Sequence, residues 1–356
     1  MAKPKYLGMD VHKDTISVAA IDSTGKLITE AVLETKAEAI LSFVNGLRRN
    51  IHITFEEATW ATWLYELLQP HAEEIVVCNP RMNALLTYGN KADQSDARKL
   101  AELLRGNFLK PVYHGGTGMQ ALKELTRSYN AISKDLVRVM TRLKAIYRSR
   151  GISCAGTRVY RKRYREEWLA KILEPGARRR AEHYYQQLDA LTQLRLEARH
   201  DLLNESRKHS ATELLCQIPC IGPIRAAQLI ALIQTPHRFR TKRQLWTYSG
   251  LAVDSDDSAQ YCFVNGRAQL SPKKLRRVRG LNRNFNHDLK DIFKGAAVMA
   301  SITAGPFRDF YQAQLARGRR PAIARLTLAR KIAAITLVVW KKGVKFDAQQ
   351  VAQKAA

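Results

Sequence analysis

The sequence predicts an amino-terminal α/β domain with a mixed sheet, followed by a strongly basic and mostly helical remainder. Apolar segments with the spacing of strands and helices alternate through the first third of the chain, which is typical of a layered α/β fold. From residue 119 onward the apolar residues instead recur at helical spacing over long stretches. The charge changes at nearly the same place, because residues 1–110 hold 13 basic and 14 acidic residues whereas the rest of the chain holds 46 and 18.

The predicted elements of the first domain follow one another in the order strand, hairpin, helix, strand, helix, strand, helix. The hairpin has two β-rich segments on either side of the turn STGK, and we expect Pro70 to stop the second helix. In chain order the segments are PKYLGMD, DTISVAAID with KLITEAVLET, AEAILSFVNGLRR, IHITFEE, ATWLYELLQP, EEIVVCNP and KADQSDARKLAELL. We expect this domain to span residues 1–112.

A heptad pattern marks the middle of the chain. Its apolar residues alternate in steps of three and four over about three and a half heptads: Leu122, Leu125, Tyr129, Ile132, Leu136, Val139, Leu143 and Ile146. Such a seam either packs within one chain or joins two chains, and its regularity favours a coiled coil between subunits. With a second helical stretch ending near residue 208, we expect a helical coiled-coil region at 118–208 and a carboxy-terminal domain at 209–345.

Composition restricts the class of protein. A chain of 356 residues with 46% hydrophobic and 26% charged residues is long enough for two or three domains with buried cores. No apolar run is long enough to span a bilayer, and the first residues lack the apolar stretch of a signal peptide. The five cysteines form no C-x-x-C pair, so neither a zinc site nor a disulfide framework is indicated. We expect a protein of the reducing cytoplasm whose net charge of +27 matches nucleic acid rather than a membrane.

Acidic residues stand where predicted strands end and where a predicted helix begins. Asp10 ends the first strand, and Glu56 and Glu57 end a later one. Asp93 and Asp96 open a helix, where they either cap it or share a hard divalent cation. Ligands of α/β folds collect at the carboxyl ends of strands, so these acids are expected to meet at one edge. Carboxylates there would suit Mg²⁺ and phosphoryl transfer.

These segments resemble the DEDD transposases of the insertion-sequence one-ten family and the related Piv-type DNA invertases. The resemblance covers nearly the whole chain, and rests on GMDVHKD, TFEEATWATWLYELL, KADQSDARKLAELL, CIGPIRAAQLIALI, RFRTKRQLWTYSGLAV, DSAQY and RGLNRNFNHDLKDIFKGAA. It implies a RuvC-like RNase H fold for the first domain. It also implies a Mg²⁺ site formed by Asp10, Glu56, Asp93 and Asp96, with Glu57 as the alternative to Glu56.

The resemblance further implies a catalytic serine in the carboxy-terminal domain. The matching residue is Ser258 in DDSAQY, and Ser255 is the alternative; the residues alone are typical of a polar turn. A serine hydroxyl is a weak nucleophile, and a metal held by the acidic residues would assist it. We expect Ser258 to join covalently to a DNA phosphate, in a site composed of both domains from one subunit or from two.

Candidate nucleic-acid contacts include one turn and two basic segments. The turn at Gly222 resembles that of a helix-hairpin-helix, although Cys220 replaces its usual first glycine; a simple helical corner is the alternative. The basic candidates are Arg161, Arg163, Arg276, Arg277 and Arg279. The chain shows no zinc finger, homeodomain-like arm or basic zipper region. The resemblance implies that a structured noncoding guide RNA chooses the DNA instead.

We therefore expect a DNA recombinase of a mobile element that works in the bacterial cytoplasm as a homo-oligomer, either a dimer or a tetramer. Its partners would be donor and target DNA and a guide RNA. Three alternatives remain open: a metal-dependent nuclease such as a junction resolvase, in which Ser258 is structural; a Piv-type invertase that acts without RNA; and a nucleic-acid-binding protein without catalysis.

Overall fold

The computed structural model describes residues 3–48, 50–80, 93–114, 117–256, 261–264, 266–270 and 277–352. The chain divides into two compact units, residues 1–116 and residues 117–356. The first unit contains a five-stranded mixed sheet with helices, and the second is mostly helical. The expected α/β domain followed by a helical remainder is confirmed.

The sheet of the first unit has the strand order β3-β2-β1-β4-β5. Its strands are β1 Lys5–Val11, β2 Thr15–Ile21, β3 Leu27–Glu34, β4 Ile51–Glu56 and β5 Glu74–Cys78. The first three strands pair antiparallel, whereas β4 is parallel to β1 and β5 is parallel to β4. The carboxyl ends of β1, β4 and β5 therefore lie at one edge of the sheet.

Helices pack on both faces of this sheet. The helices are α1 Ala37–Gly46, α2 Ala61–Leu68 and α3 Asp93–Arg105. Leu7 and Phe55 are buried with α1 and α2 on one face, whereas Tyr6 packs with Leu100 of α3 on the other, as the period of two requires. Helix α2 ends two residues before Pro70, which lies within the single 3₁₀ turn that follows.

The second unit is built around long helices. They are α4 Gln120–Arg148, α5 Arg165–Ala170, α6 Pro175–Ser206, α7 Ala211–Cys216, α8 Pro223–Ile233, α9 Lys242–Tyr248, α10 His287–Ile302, α11 Pro306–Ala316, α12 Pro321–Lys342 and α13 Gln349–Ala352. Two antiparallel pairs of strands lie between α9 and α10. They are β6 Val253–Asp256 with β9 Arg277–Leu281, and β7 Tyr261–Val264 with β8 Arg267–Leu270.

The heptad seam of α4 is buried within the chain. Its first part, including Leu122, belongs to the large core shared with α8, α10 and α12. Its later part, including Leu136 and Leu143, packs with Tyr185 of α6. The seam is thus used inside the subunit, and a coiled coil between subunits remains a prediction.

The boundary expected near residue 208 falls inside the second compact unit. Leu202 of α6 shares one core with Leu215 of α7 and Ile230 of α8, so the helical region and the carboxy-terminal segment pack together. Among the described residues, no helix is long and apolar enough to cross a membrane.

Candidate active site

Asp10 and Glu56 lie at the carboxyl ends of the adjacent parallel strands β1 and β4. The register pairs Tyr6 with His52, and their rings stack with centroids 5.3 Å apart. Four residues further along each strand, the alternation of side chains returns Asp10 and Glu56 to that same face of the sheet. Adjacent strands lie about 4.8 Å apart, so the two carboxylates are neighbours in one row.

Glu57 makes a different contact. Nε2 of His114 lies 2.7 Å from a Glu57 carboxylate oxygen, and the His114 ring stacks on Tyr65 with centroids 5.0 Å apart. The His114 side chain is only 11% exposed, which fixes the position of its partner. Of the two glutamates left open by the sequence, Glu56 is the one that shares a face with Asp10.

Helix α3 runs antiparallel to β1, so that its first turn lies at the Asp10 end of that strand. A Cβ atom added to Gly8 would lie 2.1 Å from the carbonyl oxygen of Ala97, which shows how closely the helix crosses the strand. At the other end, the Arg105 guanidinium is 3.3 Å from a Cβ built on Gly25, in the turn between β2 and β3. That turn lies at the amino-terminal end of β1 because β2 pairs antiparallel with β1. The start of α3 therefore approaches the edge where Asp10 lies.

The acidic pair of α3 occupies this first turn. The described backbone places Asp93 at the first helical residue, and its side chain lies outside the described part of the structure. An Asp96 carboxylate oxygen accepts a hydrogen bond from Lys99 Nζ at 2.9 Å. Asp10 is paired similarly, with His12 Nε2 3.2 Å from its carboxylate. Asp10 and Asp96 thus each contact an imidazole or cationic group.

The donor chemistry of this edge fits a hard divalent cation. Asp10, Glu56 and Asp96 offer carboxylate oxygens, the ligand type that Mg²⁺ prefers. Among the described side chains, no three His, Cys, Asp or Glu residues are close enough together to hold a metal ion. The contacts of Asp10 with His12 and of Asp96 with Lys99 are the ones that a bound cation would displace.

The residues around the predicted nucleophile are described only in part. Ser258 and Arg276 lie outside the described residues, and only the backbone is described for Ser255, Arg277 and Arg279. The β6–β9 register pairs Asp256, the last residue of β6, with Arg277, the first residue of β9. This pairing brings Arg277 beside the chain two residues before Ser258.

The approach to that segment is fixed by a close contact in TYSGL. Gly250 has a φ of 63°, and a Cβ atom there would lie 2.4 Å from the Phe285 ring. Both the left-handed backbone and the ring exclude a larger residue. Gly250 thus fixes the path of the chain from α9 into β6.

The turn at Gly222 joins α7 to α8. Gly222 is the N-cap of α8, and a Cβ atom built on it meets no other atom within 4 Å. Cys220 has a φ of 68°, the left-handed conformation that a glycine would adopt without strain, and its carbonyl accepts a hydrogen bond from Arg225 Nη1 at 2.9 Å. The open backbone at the start of α8 could receive a phosphate.

The basic segment between α4 and α6 carries both predicted arginines on its surface. Arg161 and Arg163 are exposed, and the Arg163 guanidinium lies over the Tyr164 ring at 4.6 Å. The Arg158 guanidinium lies 4.2 Å from the centroid of the same ring. Cationic and aromatic groups of this kind suit nucleic-acid strands.

Two residues that shape the site were not predicted from the sequence. Gly8 permits the close crossing of α3, and His114 binds Glu57. A glycine inside a strand, two residues before the acid, was the available signal for the first. The contact of His114 with Glu57 spans 57 residues, and no local pattern indicates it.

Comparison with known proteins gives two family matches. Residues 7–149 match the DEDD transposase model of the IS110 group, described as "Transposase". Residues 212–312 match "Transposase IS116/IS110/IS902 family". The first match includes every acidic residue proposed above, and the second includes the segment of Ser258.

Three curated relatives are similar to much of the chain. The "Insertion element IS116 uncharacterized 44.8 kDa protein" of Streptomyces clavuligerus is 23% identical over an alignment of 387 positions, which covers 92% of each chain. The "Transposase for insertion sequence element IS1111A" of Coxiella burnetii is 25% identical, over 69% of this chain and 68% of the relative. The "Transposase for insertion sequence element IS1533" of Leptospira borgpetersenii is 27% identical, over 48% of this chain and 51% of the relative.

Proposed function

Because the chain belongs to the IS110/IS116/IS902 family of transposases, we propose that it cuts and rejoins DNA strands through a metal-assisted serine mechanism. The observation that carries this is the arrangement of acids in the first unit. Asp10 and Glu56 end adjacent parallel strands on one face, and α3 begins with Asp93 at that same edge. A RuvC-like RNase H fold for this unit is supported by the mixed five-stranded sheet that delivers those acids.

Members of this family generally depend on a divalent metal ion, and we assign Mg²⁺ to this chain. Asp10, Glu56, Asp93 and Asp96 would hold it. When bound, it would stabilise negative charge on the attacking and leaving oxygens of phosphoryl transfer. The chain's own contribution would be to align these carboxylates, and the β1–β4 register and the Gly8–α3 contact support this because they bring the three segments to one edge of the sheet.

Ser258 is the proposed nucleophile. Its Oγ forms a bond to a DNA phosphorus while the bond from that phosphorus to a sugar oxygen breaks, and the hydroxyl proton passes to a base or to solvent. The sugar hydroxyl of a second strand then displaces Ser258, so the phosphodiester is restored without an external energy source. The β6–β9 pairing supports this assignment because it brings the backbone of Arg277 beside Asp256, which precedes Ser258 by two residues in the chain.

We propose that basic side chains of the second unit hold DNA and a structured guide RNA by contacting their phosphate backbones. The excess of basic residues from position 111 onward supports a polyanionic partner. Candidate phosphate contacts in the described part of this unit are the Gly222 turn, Arg161 and Arg163. Further candidates by sequence are Arg276, Arg277 and Arg279. A guide RNA would explain how a chain without a base-reading module selects its target.

We also propose a homo-oligomer, a dimer or a tetramer, because strand exchange joins two DNA molecules. Apolar side chains on the long helices are exposed in the single chain: Val137 by 60%, Leu194 by 47% and Leu196 by 50%. Their surfaces are available to a second subunit.

The covalent step is tested with a DNA substrate that carries a nick close to the cleavage site. The short fragment released by cleavage then dissociates before it can be rejoined, and the protein–DNA adduct is trapped. We expect the parent protein to form a DNA adduct on a denaturing gel, Ser258→Ala to form none, and Ser255→Ala to form it normally. If Ser258→Ala cuts DNA as well as the parent, the protein is a nuclease of the resolvase class. Sequencing the RNA that copurifies with the parent tests the guide, and the absence of a discrete RNA would favour the invertase alternative.

A further inference from the structure

The second unit contains a large pocket that the proposed chemistry does not use. It lies between α9, α11, α12 and α13, with an accessible volume of about 690 Å³. That volume is within the range of small-molecule and nucleotide sites, about 300–1,000 Å³. Its lining joins aromatic residues to several cations.

The pocket is strongly cationic. Arg317, Arg319, Arg330 and Lys331 line it, and among its described lining residues Asp309 is the one acid. Lys331 is only 6% exposed, and burial, followed by the charge of Lys242, lowers its pKa. Lys331 and the arginines give the lining a positive charge, to which an anionic ligand is complementary.

Arg330 is a second partly buried cation of the pocket lining. Its Nε donates to the carbonyl of Leu251 at 2.6 Å, and burial lowers its pKa. Its Nη2 is buried and has no hydrogen-bond partner among the described residues. Arg330 also lines the pocket, so its guanidinium adds positive charge there.

Aromatic surfaces lie beside these cations. Trp246 lines the pocket, and its ring orientation is fixed because the indole N–H donates to the Arg330 carbonyl at 3.0 Å. The Phe310 ring also lines it, with Lys331 Nζ 6.0 Å from the ring centroid. Base stacking on an aromatic ring together with cations for a phosphate is the combination that proteins use for single strands.

We propose that this pocket holds one unpaired nucleotide of the DNA strand, with its phosphate against Lys331 and the three arginines and its base against Trp246 or Phe310. A base inside a duplex is stacked and paired and cannot enter a pocket, so the nucleotide must be unpaired. The inference rests on the proposed function, because cutting and rejoining DNA creates such strand ends.

The test compares a blunt DNA duplex with the same duplex carrying a single-stranded tail of about four nucleotides. Dissociation constants are measured by fluorescence anisotropy for the full-length parent, Lys331→Met and Arg325→Gln. Arg325 is an exposed arginine of the same helix outside the pocket, and its loss removes the same charge. Thermal unfolding is measured for each variant, so that a loss of folding is distinguished from a loss of the pocket contact.

We expect the parent to bind the tailed duplex about tenfold more tightly than the blunt one. Lys331→Met should lose most of this preference while its affinity for the blunt duplex stays unchanged. Arg325→Gln should weaken both complexes alike and keep the preference, since phosphate contacts do not distinguish the two substrates. Arg319→Gln, at the exposed rim of the pocket, should lose part of the preference.

The proposal is overturned if the parent shows no preference for the tail, or if Lys331→Met keeps it. A stronger preference for a ribonucleotide tail than for a DNA tail contradicts the assignment to the DNA strand. Failure of the pocket alone leaves tight binding to both duplexes intact. If the parent binds neither duplex, the proposed function fails together with the pocket.

Discussion

Glu56 and Glu57 are adjacent in the chain but have different surroundings. Strand alternation puts Glu56 on the face of α3 with Asp10, whereas the Glu57 carboxylate contacts His114 at 2.7 Å. The sequence alone did not decide which glutamate is the metal ligand, because both stand where the strand ends. The difference arises from His114, which is distant in sequence.

This difference predicts opposite results for two conservative substitutions. Glu56→Gln should weaken Mn²⁺ binding on the order of tenfold, because it removes one anionic oxygen ligand without changing the side-chain volume. Glu57→Gln, the matched control, should bind Mn²⁺ like the parent. Calorimetric titration of the full-length protein measures both, and a larger loss in Glu57→Gln would reverse the assignment.

Gly8 is a second residue on which the site depends. Gly8→Ala would place a Cβ atom 2.1 Å from the Ala97 carbonyl oxygen and 2.6 Å from the Ala101 backbone nitrogen. Neither backbone atom can move without the helix, so we expect a loss of about 2 kcal/mol in the free energy of unfolding. Mn²⁺ affinity should also fall, because α3 carries Asp93 and Asp96.

The control for Gly8 is Gly46, the last residue of α1. A Cβ atom at Gly46 meets no other atom within 4 Å, and its φ is not positive. Gly46→Ala should therefore stabilise the protein slightly, by about 0.5 kcal/mol. Urea unfolding measures the free energy of unfolding of both variants. Equal values would show that the packing of α3 on β1 does not require a glycine at position 8.

At the scale of elements, the basic segment between α4 and α6 is held by two buried or half-buried contacts. The Tyr185 hydroxyl donates to the Val159 carbonyl at 3.0 Å and lies 3.0 Å from the Tyr147 hydroxyl, and burial raises the pKa of Tyr185. Arg165 donates two hydrogen bonds of 2.9 Å to Asp189 of α6. These contacts fix the segment that displays Arg161 and Arg163.

The Arg165–Asp189 pair predicts a dependence of stability on pH. Hydrogen bonding to Arg165 lowers the pKa of the Asp189 carboxyl below its ordinary value of 3.8. The pair therefore stabilises the fold above pH 3.8, and this contribution is lost as pH falls through the lowered pKa. Asp189→Asn should cost about 1 kcal/mol near neutral pH, because the pair is bidentate but partly exposed.

Denaturant unfolding at decreasing pH checks this prediction. The difference between the parent and Asp189→Asn should shrink as the Asp189 carboxyl becomes protonated. Asp201→Asn, on an exposed position of the same helix, should behave like the parent throughout. A difference that persists at the lowest pH where the parent is folded would show that the charge of Asp189 is not the cause.

At the scale of the whole molecule, charge and chemistry are divided between two units. Residues 1–110 hold the proposed metal ligands and a nearly balanced charge, whereas the remainder holds 46 basic and 18 acidic residues. The basic surface of the remainder attracts the polyanions DNA and RNA, whereas the balanced charge of the first unit does not. The division follows the two compact units of the structure.

The sequence predicted the features that depend on local pattern. Strand alternation and helix periodicity identified the elements of the first unit, and the positions of Asp10 and Glu56 at strand ends followed from them. The partner of the heptad seam could not be predicted, because a seam that packs on α6 has the same spacing as one that joins two chains. The cationic pocket is formed by residues from 246 to 351, on four helices, and no local motif marks it.

The most direct test of the central claim is to map the residues around the bound metal. Fe²⁺ replaces Mg²⁺ in the full-length protein, ascorbate and peroxide generate hydroxyl radicals at the metal, and the cut positions in the chain are identified by mass spectrometry. We predict cuts clustered beside residues 10, 56 and 96, all lost in Asp10→Asn. Cuts that omit one of these three segments, or that persist in Asp10→Asn, would contradict a metal site shared by β1, β4 and α3.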